Sequence, residues 1–138
     1  MNDGVVLWLR GLSSAEAESL MATVTGGAWW TTTGAAVCAL APQPGEPLSA
    51  CVNRALNAAV MASQRQAAVG LAVGPLPDYG RTNPTLERAR RAAELAARLR
   101  SPKPAAGSVI LAWGSQAYLM GEFESVATGF VKLLGPVQ

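Results

Sequence analysis

Apolar runs of four to seven residues alternate along this chain with stretches whose apolar residues recur at helical spacing, and this alternation constrains the fold most strongly. Val5-Val6-Leu7-Trp8-Leu9 is short and β-favouring and reads as a buried strand. Ser13, with Glu16 three residues on, carries the signature of a capping box. Ala17, Leu20, Met21 and Val24 follow at helical spacing, and Gly26-Gly27 is expected to close that helix. Ala28 to Thr33, with Trp29 and Trp30 side by side, is β-prone. Gly34 supplies a turn and Ala35 to Ala41 returns as an apolar strand, which makes a hairpin.

A loop rich in proline follows over 42–47. Leu48, Val52, Ala55, Leu56, Ala59 and Val60 then mark one face of a second helix, with Asn53, Arg54 and Asn57 turned outward. Ala68 to Val73 is a core strand ending at Gly74-Pro75. Asn83-Pro84 joins an N-cap to a proline at the first helical position, and Leu86, Ala89, Ala93, Ala96 and Leu99 line the helix beyond. Its wet side is expected to pair Glu87 with Arg91 and Glu94 with Arg98. After the break at Ser101-Pro102-Lys103-Pro104, Val109 to Ala112 is a further core strand, and Ser115 to Met120 has room for one or two helical turns. Phe123 to Ala127 and Phe130 to Leu134 read as a closing β-ribbon around Thr128-Gly129. The order β-α-β-β-α-β-α-β-α-β-β belongs to the α/β class in its α+β form. It reads as a ferredoxin-like βαββαβ core with an added helix and a C-terminal β-ribbon, one domain over 1–138.

The side-chain inventory removes much chemistry. The chain has no histidine, so Ser–His and Cys–His nucleophile schemes cannot be assembled from it alone. Cys38 and Cys51 lie outside any short metal-ligand spacing and read as buried thiols of a reducing compartment, and neither a metal nor another cofactor is expected. Gly70, Gly74 and Gly80 fit neither a dinucleotide fingerprint nor a phosphate loop. Ser63, Ser101 and Ser108 have no base partner and read as ordinary polar or capping residues. Gly, Pro or Thr interrupts every uncharged run before it reaches membrane-spanning length, so no membrane association is expected. Met1-Asn2-Asp3-Gly4 lacks the positive start of an export signal, and the expected location is cytoplasmic. The net charge of +2 is unevenly spread: Arg81, Arg88, Arg90, Arg91, Arg98, Arg100 and Lys103 face only Glu87 and Glu94. The two Glu–Arg pairs favour a solvated helix face over contact with nucleic-acid or nucleotide phosphates or with an acidic partner, and no aromatic residue interleaves with these cations to support single-stranded nucleic-acid binding.

Several strings, in shared order along nearly the whole chain, resemble the class III adenylate/guanylate cyclase homology domain. Gly26-Gly27, then Thr33-Gly34 and an apolar strand, resembles the family's "GG…iGDGxxAxF" hairpin. Ala68 to Gly74 is similar to its "vRiGIhtG" strand, and Ala96-Ala97-Arg98-Leu99 to its "NxAARL" helix. Gly107 to Leu111 resembles "GqIlvS", and Phe130 to Val137 resembles the terminal "xLKGxxxPV". The resemblance implies a scheme in which two aspartates on adjacent strands hold two divalent metals against the attacking 3′-oxygen and the leaving pyrophosphate. Those positions fall at Arg10 and Ala35, neither of which ligates a metal. The family's base-selecting lysine falls near Thr31, and its transition-state asparagine near Glu94 if Arg98 matches the family arginine. Asp78 lies where relatives place a base-contacting acid, although a turn residue is the better explanation.

The expectation is a pseudoenzyme: a non-catalytic cyclase-like domain, excised from a longer signalling protein, that mediates dimerisation or protein docking in bacterial signalling. One alternative is a nucleotide or second-messenger sensor without turnover. A second is the complementing half of a heterodimeric cyclase, with Arg98 as a transition-state cation. The contact candidates are Trp29, Trp30, Arg91 and Arg98. Trp29 and Trp30 point to opposite faces of their strand, so either both are covered or one is left at an interaction surface. Trp113 and Tyr118 are further candidates for that surface, with core packing the preferred reading of both.

Overall fold

Val5, Val6, Leu7 and Leu9 are all buried, so the first strand loses solvent on both faces and sits inside a sheet rather than at its edge. The computed structural model describes residues 3–24, 27–32, 34–65, 67–76, 83–99, 109–119 and 122–133. The elements are β1 (Asp3–Arg10), α1 (Ser14–Met21), β2 (Gly27–Thr32), β3 (Ala35–Leu40), α2 (Leu48–Gln64), β4 (Ala68–Pro75) and α3 (Pro84–Leu99). They continue with β5 (Val109–Ala112), a 3-10 turn (Ser115–Tyr118), β6 (Phe123–Ala127) and β7 (Phe130–Leu133). The seven strands form one sheet in the order β2-β3-β1-β4-β5-β7-β6. Every neighbouring pair is antiparallel except β4–β5, which is parallel. A parallel pair needs a crossover, and α3 lies in the connection that makes it.

Local chemistry sets the helix ends. Ser13 Oγ accepts from the Glu16 amide at 3.2 Å while Glu16 Oε1 accepts from the Ser13 amide at 3.1 Å, closing the capping box. The helix stops at Met21, about a turn earlier than its apolar spacing suggests. Thr23 Oγ1 donates to the Leu20 carbonyl at 2.7 Å, a side-chain bond that competes with continuation of the helix. Gly27, expected to close this helix, instead opens β2; Gly26 lies outside the described residues. Asn83 Oδ1 accepts from the Leu86 amide at 2.9 Å, so the N-cap before Pro84 forms as expected. Its Nδ2 donates to the Pro75 carbonyl at 2.9 Å and ties the start of α3 to the end of β4. Leu99, expected to line α3, is 47% exposed because the buried row ends at Ala96. Helical spacing assigns a residue to a face, but not the point where the sheet beneath runs out.

The helices are divided between the two faces of the sheet. Helices α1 and α2 pack with Leu7, Leu9, Cys38, Leu40, Leu71 and Leu111 in the larger core. On the other face α3 lies over β4, β1 and β5 through Leu86, Ala89, Ala92, Ala93 and Ala96. The alanines bring its backbone onto the sheet: a Cβ on Gly70 would lie 2.0 Å from the Ala89 carbonyl oxygen and 2.5 Å from the Ala93 nitrogen. Backbone cannot yield as the tip of a flexible side chain can. Gly70→Ala is therefore expected to destabilise the fold by roughly 3 kcal/mol or more, read from urea unfolding midpoints, through overpacking against the α3 backbone.

Candidate functional site

The end of the sheet where β1 stops gathers three of the sequence-predicted positions. Arg10 and Ala35 are direct cross-strand partners in the β1–β3 ladder. Thr32 faces Ala35 from β2, and Thr31 faces Ala36. With the connection into α1, these strand ends form a cleft of about 630 Å³ lined by Ser13, Ser14, Glu16, Thr31, Thr32 and Ala35 among others. A helix N-terminus attracts anions through its free amides. Here the capping box has already taken part of that capacity. Hydrogen bonds from the Ser13 backbone and side chain hold the Glu16 carboxyl below the usual carboxylate range, so it is ionised at neutral pH and opposes a phosphate. Among the described residues, no three or more of Cys, Asp or Glu gather where they could hold a metal ion.

Glu94 and Arg98 are not part of this cleft's lining. They stand on α3, across the sheet from α1, with Glu94 half-buried and Arg98 exposed. The expected pairs Glu87–Arg91 and Glu94–Arg98 do not form. Arg90 takes both acids, with Nη2 at 2.6 Å from Glu87 Oε2 and Nη1 at 2.6 Å from Glu94 Oε1. Arg90 lies three residues after Glu87 and four before Glu94, so one guanidinium with its fork of donors reaches both. Its hydrogen bonds hold the Glu87 carboxyl below the ordinary range. Arg91 is exposed, and no ion pair among the described residues involves it or Arg98. Arg88 turns inward instead, donating from Nη2 to the Val73 carbonyl at 3.2 Å. Arg81, Arg100, Lys103 and Asp78 lie outside the described residues, as do Ser101, Ser108, Gly80 and parts of the glycine-rich and C-terminal strings.

The two adjacent indoles separate as strand geometry requires. Trp29 faces Cys38 across β3 and packs into the core beneath α1 and α2. Trp30 faces Val37 and packs on the α3 side. Neither is wholly covered; both are half-buried. The ladder adds a residue that the sequence reading had placed only in a core strand. Trp8 on β1 also faces Val37, so Trp8, Val37 and Trp30 form one row across β1, β3 and β2. Val37 is fully buried although α3 lies over β4, β1 and β5, and the two half-buried tryptophans pack against its cluster. Alternation places Trp8 and Trp30 on definite faces of their own strands, but only the register shows that they flank the same valine.

Trp113 and Tyr118, expected in the core, are 62% and 38% exposed. The chain leaves β5 at Ala112 and turns at Gly114, whose φ of 98° suits glycine. The buried anchor of this turn is Ser115, whose Oγ accepts from the Val73 amide at 3.0 Å. A polar residue thus supplies the inward contact and the aromatics turn out.

Both cysteines are buried free thiols, and Cys51 Sγ donates weakly to the Leu40 carbonyl at 3.6 Å. No helix among the described residues is long and apolar enough to cross a membrane. No family model matches this chain, and no curated protein matches it.

Burial pushes the Cys38 thiol up to about 12 from its ordinary value of 9.0 and raises Cys51 as well. The unfolded chain ionises its thiols first, so this contribution to stability is full below pH 9.0 and is lost as pH rises toward about 12. The Cys38 thiol contributes a slope of about 1.4 kcal/mol per pH unit within that window. Thermal melts at successive pH values measure the slope. Native protein is also expected to resist a thiol reagent that modifies both cysteines once urea has unfolded it.

Proposed function

We propose that this chain is a non-catalytic, cyclase-like domain that works by docking onto protein or by pairing, through the hairpin of β2 and β3. The observation that carries this reading is the row Trp8–Val37–Trp30, two half-buried indoles flanking a buried valine on the sheet face beside α3. Tryptophan supplies large apolar area with few rotors to freeze and is enriched at the energetic centres of interfaces.

The topology supports the wider assignment. Strands β2-β3-β1-β4 are each antiparallel to their neighbours, with α1 and α2 packed on one face, and this order supports the ferredoxin-like βαββαβ reading. The crossover β4-α3-β5 and the closing ribbon of β6 and β7 extend it in the order that the cyclase resemblance implies. Arg10 and Ala35 stand side by side on adjacent strands, with Ala35 lining the cleft, at the positions where that resemblance calls for two metal-holding acids. A guanidinium and a methyl group ligate no divalent cation. A cytoplasmic role in bacterial signalling is the setting the same resemblance implies.

The second reading, a nucleotide sensor without turnover, draws on the cleft of about 630 Å³ beside α1. The ionised Glu16 on its wall weighs against a polyphosphate there. Incubation with ATP or GTP and magnesium or manganese is expected to yield neither cyclic nucleotide nor pyrophosphate above a blank. Calorimetry with the same nucleotides and with cyclic nucleotides is expected to give no saturable heat. Turnover would overturn the non-catalytic assignment, and saturable heat would replace docking by the sensor reading.

A further inference from the structure

We infer that two copies of this chain join edge to edge through β2, antiparallel about a two-fold axis at Trp30, into one continuous sheet. This rests on the docking reading above and names its partner as a second copy.

The two edges of the sheet differ in protection. Edge strand β6 carries Glu124 and a register shift between Ser125 and Ala127, both of which discourage edge pairing. Edge strand β2 is Gly-Ala-Trp-Trp-Thr-Thr: no charge, no proline and an unbroken ladder with β3. Ala28, Thr31 and Thr32 are exposed, so solvent reaches along this edge. One open and one guarded edge favour a closed pair, because β2 against β2 uses both open edges, whereas a growing chain of copies would have to engage β6.

Symmetry selects the register. A two-fold axis perpendicular to the sheet maps each face onto itself, so facing residues must project on the same side. Centring on Trp30 sets it against its own counterpart and Ala28 against Thr32 of the partner subunit. The row Trp8–Val37–Trp30 then continues into its image, making six side chains in line on the α3 side of the sheet. Centring on Trp29 would instead join the pair on the face that α1 and α2 occupy. No like charges meet in the Trp30 register, since β2 has none.

Sedimentation equilibrium on the full chain over roughly 5 to 500 µM is expected to show a monomer–dimer equilibrium. The double variant Ala28→Lys/Thr32→Lys opposes like charges twice across the axis and is expected to weaken the dimer about tenfold or more. Ala28→Lys/Thr32→Glu opposes unlike charges at the same two places and is expected to restore dimerisation to within about threefold of wild type. Both side chains are exposed in the single copy, so folding is checked by melting curves, and the charge-swap variant keeps the test in force if the first fails to fold. A wild-type chain still monomeric at about 500 µM overturns the inference. So does a dimer indifferent to the two lysines, or one not restored by the swap. None of these results touches the docking reading itself, which falls on turnover or on nucleotide heat.

Discussion

The approach of α3 to β4 at Gly70 governs much of this molecule. A Cβ there would fall well inside van der Waals contact distance of the Ala89 carbonyl oxygen and the Ala93 nitrogen, so the helix backbone lies directly on the strand. Further contacts hold the helix in that place: Asn83 to the Pro75 carbonyl, Arg88 to the Val73 carbonyl, and Thr85 against Gly74. The closeness has a polar cost, since Thr85 Oγ1 and Arg88 Nε are buried without a hydrogen-bond partner among the described residues, and such groups cost about 1–3 kcal/mol each. A helix docked over β4, β1 and β5 leaves the β2–β3 half of that face to side chains. The position of Gly70 and the prominence of Trp8 and Trp30 are thus two consequences of one packing arrangement.

The two faces of the sheet reach stability differently. Beneath α1 and α2 the core uses leucine and valine at ordinary helix–sheet spacing, with the buried thiols of Cys38 and Cys51 filling space as small apolar groups. Beneath α3 the interior is mostly alanine, each with little area to bury, and closeness takes the place of side-chain bulk. At the end of β1 the cleft is lined by hydroxyls, small side chains and one ionised carboxylate. That set can bond to a polar ligand through its hydroxyls. The surface bearing tryptophan is the one proposed above for docking.

Much of the fold was legible in the residues. Proline before a helix at Pro84, the Ser13–Glu16 box and the apolar runs at Val5, Ala68 and Val109 each have a short-range cause and appear where that cause puts them. The departures share a different origin. Arg90 rather than Arg91 and Arg98 took the acids because i,i+3 and i,i+4 neighbours compete and only geometry chooses. Trp113 and Tyr118 turned outward because Ser115 held the turn from inside, and nothing local distinguishes a serine that will be buried from one that will not. Leu99 was left exposed because helical spacing does not reveal where the sheet ends. The candidate site divided in the same way: Trp29 and Trp30 were readable as a pair, whereas Trp8 was not.

By itself, then, the sequence determined the order and type of the elements, the absence of a histidine-based catalyst, and the separation of Trp29 and Trp30 onto opposite faces. Each follows from composition or from interactions within a few residues along the chain. Only the tertiary structure decided that Arg10 and Ala35 are neighbours, that Glu94 and Arg98 do not line the cleft that Ala35 lines, and that Trp8 and Trp30 share Val37. Those relations depend on strand register and on which face each helix occupies. Both are settled by burying side chains distant in sequence against one another, and at Gly70 by how closely a backbone could approach.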